Sequence, residues 1–402
     1  MNVPPVRWLQ VWILAALQGS ITLCWVIYNF YIPQFLEGLG FTAGVAMLLQ
    51  LIENALAAVI EPIMGAASDQ TRLWMSSRFP LIAAGVLGSA VLFVGIPWVG
   101  DWSEARLILP MLAVVWAVAM SVFRSPAMAL LGSYASATQL PQATAILTLV
   151  GGLTGALSPL TQTAILNLGP TAAFLVGSIV LLVVASVLRG VAGSLAAEPS
   201  GSLPTVISQA STASPQPLAL PSLAGIFMLG LGVALGFRMM VTAFPSVLID
   251  LGANFSFPQI IAGILFVSGL AAIPVGRWAT QWGNSTTLLA GLLGMGIGLL
   301  ITLGIPHLLV GYLLIGLFGL SFSLINTSAF SLSLLWVPPE RAGLGIGLYF
   351  GGFSGGMAVV NTLLVVRPEI PHLALVGLGI IGLGLAQLGV FLGQTLSTQN
   401  HP

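Results

Sequence analysis

Pro33-Gln34-Phe35-Leu36-Glu37-Gly38-Leu39-Gly40 has a counterpart late in the chain, Pro245-Ser246-Val247-Leu248-Ile249-Asp250-Leu251-Gly252. Proline, two leucines and glycine keep the same register, and each copy closes a long apolar run. The same offset carries Pro62 onto Pro274. At a slightly shorter offset, Gly151-Gly-Leu-Thr-Gly155 meets Gly351-Gly-Phe-Ser-Gly355. A glycine-rich chain supplies one such match by chance. Three in the same order, on corresponding runs, indicate a parallel duplication.

Composition says what solvent the two halves meet. Of 402 residues, 57% are hydrophobic and 5% charged, against about 25% charged in a soluble globular chain. That is too little charge to coat a water-soluble particle of this size. Apolar runs of about 20 residues match the hydrocarbon thickness of a bilayer. Backbone groups in lipid are satisfied only within helices or closed barrels, and the runs lack period-2 alternation. The fold class read from this is an all-α polytopic membrane protein of twelve spans in two related six-helix bundles. The spans are drawn at 9–32, 42–65, 80–99, 107–131, 143–166 and 171–188, then 221–249, 258–281, 286–305, 308–336, 343–366 and 372–392. Residues 1–191 form the first bundle and 218–402 the second. Residues 192–217, rich in Ser, Pro, Thr and Ala, read as a flexible linker between them.

An even span count puts both termini on one side. With that side cytoplasmic, Arg7, Arg72, Arg78, Arg189, Arg277 and Arg341 fall in or beside cytoplasmic segments, and Arg106 and Arg367 fall outside, as the positive-inside rule requires. A plasma (inner) membrane is expected, and a monomer. The start of the chain has no cleavable-signal layout, because Arg7 leads into a run too long for an h-region. All ten basic residues are Arg. Without Lys there is no Walker-type phosphate loop, and no basic patch suggests nucleic acid. The single cysteine, Cys24, sits in an apolar run and reads as a packing residue. No cofactor or metal is expected. The membrane-embedded polar set has no nucleophile–base constellation, so the chain does not read as an enzyme.

Two parallel six-helix halves about an axis along the membrane normal are a recurrent transporter architecture, with the site at mid-depth between them. The loop after the second span, Gly65-Ala-Ala-Ser-Asp69-Gln-Thr-Arg72, resembles the Gly-x-x-x-Asp signature of the major facilitator superfamily. A degenerate twin, Pro274-Val-Gly276-Arg277-Trp-Ala-Thr-Gln-Trp-Gly283, follows the eighth span. The resemblance implies a helix end packed closely through glycine, with Asp69 and either Arg72 or Arg78 latching neighbouring helices. Gln70 stands where the signature has a basic residue, and the later Gly-Arg-Arg is missing, so the latch is expected to be weaker or built differently. Within the superfamily, Glu61-Pro62-Ile63-Met64-Gly65 and the Arg78-Phe79-Pro80 entry to the third span are similar to the glycoside–pentoside–hexuronide:cation symporter group, with sucrose carriers as a sister. Phe123-Arg124-Ser125-Pro126 is similar to that group's aromatic-x-x-Pro segment. The group's cation site uses two acidic residues four apart in span 2 and one in span 4; here these positions are Ala57, Glu61 and Arg124, so a sodium site of that kind is not expected. Arg124 is expected instead to pair with Glu61.

Ionisable and polar groups inside spans are costly, and they usually face a cavity or a partner. In span 2, Gln50, Glu53, Asn54 and Glu61 share one helical stripe, expected to face the central cavity. Glu53, near mid-membrane, is read as a carrier of a coupling proton or as a hydrogen-bonded packing residue. Glu61 is read as a structural partner of Arg124 or as a gate. Arg238, mid-way along span 7, needs a carboxylate, helix carbonyls, water or an anionic substrate, with Glu53 across the cavity as the alternative partner. In span 1, Gln18, Trp25, Tyr28 and Asn29 suit a sugar ring or another flat solute, or else ordinary packing. Asn326 and Tyr349 are further cavity candidates. Asn361 is another, and an inter-helix hydrogen bond is its plainer reading. The glycine-rich stretches of spans 5 and 11 read as helix crossings that slide.

The resulting expectation is a secondary carrier working by alternating access on a small polar solute, sugar-like or an organic anion, with coupling to protons. The rival keeps the fold and drops transport: a membrane assembly factor or pigment- and lipid-handling scaffold, which predicts a collapsed or lipid-plugged cavity and co-purifying protein partners.

Overall fold

The structure, a computed structural model, describes residues 6–75, 77–100, 102, 106–196, 220–305, 307–367 and 369–397. Among the described residues it is helical, and twelve helices are long and apolar enough to cross a membrane. In chain order they are α1 (Trp8–Gly38), α2 (Ala43–Met75), α3 (Phe79–Gly100), α4 (Ile108–Met128), α5 (Leu140–Leu168) and α6 (Pro170–Ala196). The second set is α7 (Leu220–Asp250), α8 (Phe257–Trp282), α9 (Asn284–Ile301), α10 (Leu308–Leu335), α11 (Ala342–Val366) and α12 (His372–Ser397). The chain is a multi-pass membrane protein. The helices overrun several of the expected spans, most at α2, which continues ten residues beyond the predicted end and carries Asp69 and Arg72 inside the helix. The first residues of the expected linker, 192–196, complete α6. The remainder, 197–217, lies outside the described residues.

The duplicated stretch has a local physical meaning. Gly40 and Gly252 both take positive φ, 77° and 89°, a region open to glycine at no steric cost. After α1, the Gly40 N–H donates to the Glu37 carbonyl at 2.9 Å and the Phe41 N–H to the Leu36 carbonyl at 2.9 Å. After α7, the Gly252 N–H donates to Ile249 at 2.8 Å and the Ala253 N–H to Leu248 at 3.2 Å. Both sets are Schellman stops, in which a left-handed glycine lets the chain satisfy the last carbonyls of the helix. The repeat therefore ends the first helix of each half in the same way.

Helix neighbours repeat as well. In the first half α1 packs on α5 and α6, α3 on α4 and α6, and α2 on α4. In the second half α7 packs on α11 and α12, α9 on α10 and α12, and α8 on α10. Adding six to each helix number in the first set gives the second. The halves meet through α2 against α11 and through α5 against α8, which the same operation exchanges. Two large apolar cores lie mainly one in each half, the first also taking in Leu334, Ala342 and Ile346 of the second half. The first is built around Trp116, which stacks on Tyr28 at 4.4 Å and on Phe93 at 4.9 Å between ring centroids. The second includes Phe244 and Phe318.

In lipid, apolar surface gains little by being buried between helices, so association rests on close packing, and small residues permit it. Along α2, Ala58, Pro62 and Gly65 meet Gly355, Gly351, Gly347 and Gly343 of α11 in reverse order. Along α5, Gly152 meets Gly269 of α8, and Pro141, Gln142 and Ala145 meet Gly276. Both crossings extend from the middle of the bundle to one end, the end that carries Asp69.

Candidate functional site

At the Asp69 end the two halves are tied by a charged clasp. The Asp69 carboxylate accepts the Gly343 N–H at 2.9 Å and the Leu344 N–H at 2.8 Å, both in the first turn of α11. A carboxylate there satisfies orphan amide donors and meets the positive end of the helix dipole. Arg78 donates to Asp69 at 2.5 Å and to the Ala129 carbonyl at 3.2 Å. Both charged side chains are 2% exposed. Arg72, the other expected latch cation, instead donates to the Pro339 carbonyl at 3.1 Å. In the degenerate twin, Thr280 stands four residues after Gly276, as Asp69 stands four after Gly65. Gln142, near the start of α5, donates to it at 3.5 Å. At the position equivalent to the Asp69 carboxylate, the symmetry-related crossing thus carries a neutral hydroxyl.

Inward of these crossings lies a cavity of about 280 Å³ between the halves. The first half contributes Gln18 and Thr22 of α1, Arg124 of α4, and Thr144, Thr148, Gly151 and Gly152 of α5. The second half contributes Ser268 of α8, Phe322, Asn326 and Phe330 of α10, and Tyr349, Phe350 and Phe353 of α11. Polar groups thus dominate one wall and aromatic rings the other. Hydroxyls also join the halves beside it: Thr144 accepts from or donates to Ser331 at 2.8 Å, and donates to the Thr327 carbonyl at 3.0 Å. Gln18 Oε1 is buried and has no hydrogen-bond partner among the described residues, so this wall presents an unused acceptor.

Arg124 is the cation of this cavity. Its Nε donates to Glu61 Oε1 at 2.7 Å, and its Nη2 lies 2.6 Å from the same oxygen. Ser125 donates to the other oxygen, Oε2. The Arg124 side chain is 20% exposed while Glu61 is fully buried. The guanidinium lies over the Phe350 ring, 4.4 Å from its centroid. This ion pair is the one expected from the sequence.

Other expected residues sit elsewhere. The polar stripe of α2 does not face the cavity. Glu53 accepts a hydrogen bond from Tyr28, inside the first bundle, and Glu61 turns to α4. The reason is the crossing with α11, which claims the small-residue face Ala58–Pro62–Gly65 and rotates the polar stripe towards α1 and α4. Gln50 donates to Asn29 of α1 at 3.5 Å, and Asn54 donates to the Gln50 carbonyl of its own helix at 2.7 Å; none of the three lines the cavity. Trp25 and Tyr28 pack on Trp116, as core aromatics of the first half. Asn361 is buried in α11. Arg238 is in neither ion pair found among the described residues, it is absent from the cavity lining, and its Nε is buried without an acceptor. Of the residues expected to contact substrate or to gate, the structure gathers Gln18, Arg124, Asn326 and Tyr349 around one cavity, with Glu61 directly behind Arg124. Thr144, Thr148 and Ser268 were not anticipated. A threonine or serine in an apolar run carries no mark of the direction it faces, so the sequence held no signal for them.

Residues 226–393 match the family model described as the Major Facilitator Superfamily. Among solved structures, the crystal structure of the human organic anion transporter MFSD10 (TETRAN) is similar with a TM-score of 0.66 and 17% sequence identity, covering 97% of this chain and 100% of that one. At that identity the likeness is one of fold. No curated protein matches the chain.

Proposed function

We propose that this chain is a secondary carrier that moves a small polar solute across its membrane by alternating access. The observation that carries the reading is the cavity between two equivalent bundles, closed towards one end by the Asp69 clasp and by crossings lined with small residues. Carriers with this repeat arrangement bind at the repeat interface and rock one half against the other. The superfamily match over the second half supports the same reading. A cavity lined by polar and aromatic side chains of both halves also favours a carrier over a scaffold with a collapsed interior.

The solute is an organic anion or a sugar-like molecule. The anion reading draws on Arg124 and on the description of the fold neighbour. The sugar reading draws on the Glu61-Pro62-Ile63-Met64-Gly65 stretch and on the aromatic wall with Gln18, Asn326 and the hydroxyls. Protons are the coupling ion in this proposal, carried by Glu53 or Glu61. The cation site of the glycoside symporter group is not proposed, because Arg124 occupies its place.

A reversible lock tests alternating access. A Cβ built on Gly355 lies 3.7 Å from the Ala58 Cβ, within the range for a disulfide. Oxidised Ala58→Cys/Gly355→Cys protein in vesicles is expected to lose uptake and to regain it on reduction. Uptake unaffected by the cross-link rejects rocking at this crossing. Uptake that ignores a pH gradient and survives both Glu53→Gln and Glu61→Gln rejects proton coupling.

A further inference from the structure

The donors and acceptors around Arg124 do not balance. A guanidinium has five N–H donors in a planar fork. Nε and Nη2 are both aimed at one oxygen of Glu61, at 2.7 and 2.6 Å, while Ser125 takes the other oxygen. The pair is therefore not the two-oxygen fork that arginine makes with a free carboxylate. Ser125 blocks that arrangement from behind, and Glu61 has no exposed surface from which to rearrange. The arginine is on the cavity side and the carboxylate on the protein side.

The two walls of the cavity also differ in chemistry. Arg124 stands on α4 of the first half. Facing it, α10 and α11 of the second half present Phe322, Phe330, Tyr349, Phe350 and Phe353. Phe350 already lies over the guanidinium at 4.4 Å, so charge and rings adjoin.

We infer that the cavity selects organic oxyanions with a flat apolar body, that Arg124 is the anion-binding residue, and that Glu61 is a built-in competitor that weakens the grip so that the ligand can leave. The oxyanion docks on the donors that Glu61 leaves unused, and the ring lies against the aromatic wall. Such a ligand touches both halves at once, through charge on one and apolar contact on the other. A ligand shifts a conformational equilibrium only by contacts that differ between the states, and this two-sided grip supplies them. The inference rests on the carrier reading for its purpose, but its chemistry is tested by binding alone.

The probes are benzoate and indole-3-acetate, each with its neutral amide, benzamide and indole-3-acetamide, titrated onto purified full-length protein in detergent with dissociation constants read by calorimetry. The acids are expected to bind and the amides to bind on the order of 30-fold more weakly, the scale of losing a buried charge-assisted contact. Glu61→Gln is expected to tighten the acids by about tenfold, as removing an internal competitor does, and to leave the amides unchanged. Because Arg124→Gln alone strands a buried carboxylate, the paired variant Glu61→Gln/Arg124→Gln, which strands neither charge, is the decisive one. It is expected to bind acid and amide alike. Equal binding of acids and amides by the native protein, acids retained by the paired variant, or acids lost with Arg238→Gln in place of Arg124 would each overturn the inference. Discriminating binding with no uptake into vesicles upholds it and removes the carrier reading instead.

Discussion

The carboxylate of Asp69, near the end of the second helix, accepts the backbone N–H of Gly343 at 2.9 Å across the boundary between the two halves. It is a bond between a side chain of one bundle and the first turn of a helix in the other. Nothing in either bundle's own fold requires it. Its effect is on how the halves sit together.

Asp69→Asn removes the charge that holds two α11 amides and strands Arg78, whose side chain is 2% exposed. Breaking a buried pair from one side costs about 3–5 kcal/mol. The melting temperature of the purified protein is expected to fall. Alkylation of a cysteine placed at Ser68, fully buried at the same crossing, is expected to rise by at least about tenfold, the equivalent of 1.4 kcal/mol. An unchanged labelling rate would mean that the clasp does not hold this end shut.

Gly343→Ala separates closure from charge. A Cβ there would lie 2.7 Å from Asp69 Oδ1 and 2.5 Å from Ser68 Oγ, inside van der Waals contact, while the Asp69–Arg78 pair belongs wholly to the first half and is retained. The start of α11 must move away from α2. Spin labels at Trp74 and Arg341, both exposed, are expected to report a distance distribution lengthened by several ångströms, with helix content unchanged. A native distribution would show that the crossing tolerates a methyl group.

Glu61 and Arg124 are predicted to be unequal partners. Arg124→Ala leaves a fully buried carboxylate without its cation, at about 3–5 kcal/mol. Glu61→Ala leaves an arginine that is 20% exposed and lies over Phe350, and it is expected to cost less. The double alanine variant should therefore melt above Arg124→Ala alone. If the single variants melt together, the asymmetry of burial has no energetic weight.

Tyr28 donates to Glu53 within the first bundle. Tyr28→Phe keeps the ring stacked on Trp116 and removes only the hydroxyl, leaving a carboxyl that is 5% exposed without its donor. The expected loss is about 1–3 kcal/mol. Tyr28→Phe/Glu53→Met replaces both polar groups by apolar ones and is expected to recover most of it, read as melting temperature in detergent. Recovery failing would point to a role for Glu53 beyond this bond.

Much of the architecture was legible from residues alone. The repeated Pro33–Gly40 and Pro245–Gly252 stretches marked equivalent helix ends because a Schellman stop is local chemistry. Asp69 was singled out by the resemblance of Gly65-x-x-x-Asp69 to the superfamily signature, and Glu61–Arg124 as a pair by their equal depth on neighbouring spans. The choice of Arg78 over Arg72 was not legible. Both arginines lie within a short distance of Asp69 along the chain, and only the seat of α3 against the end of α4 puts Arg78 in the buried position.

The site was harder to read, and Glu53 and Arg238 show why. Depth along a helix follows from counting residues, at 1.5 Å for each. Facing depends on rotation about the helix axis, and that is settled by which surface packs closest. On α2 the small-residue face went to α11, so the polar stripe turned into its own bundle and Glu53 met Tyr28. Apolar length, helix-stop glycines and the order of the duplicated segments determined the twelve spans and the two halves, because each is a property of chain neighbours. Which polar groups share the cavity was decided by tertiary packing, because close approach of helices in lipid is set by backbone contacts between residues far apart in the chain.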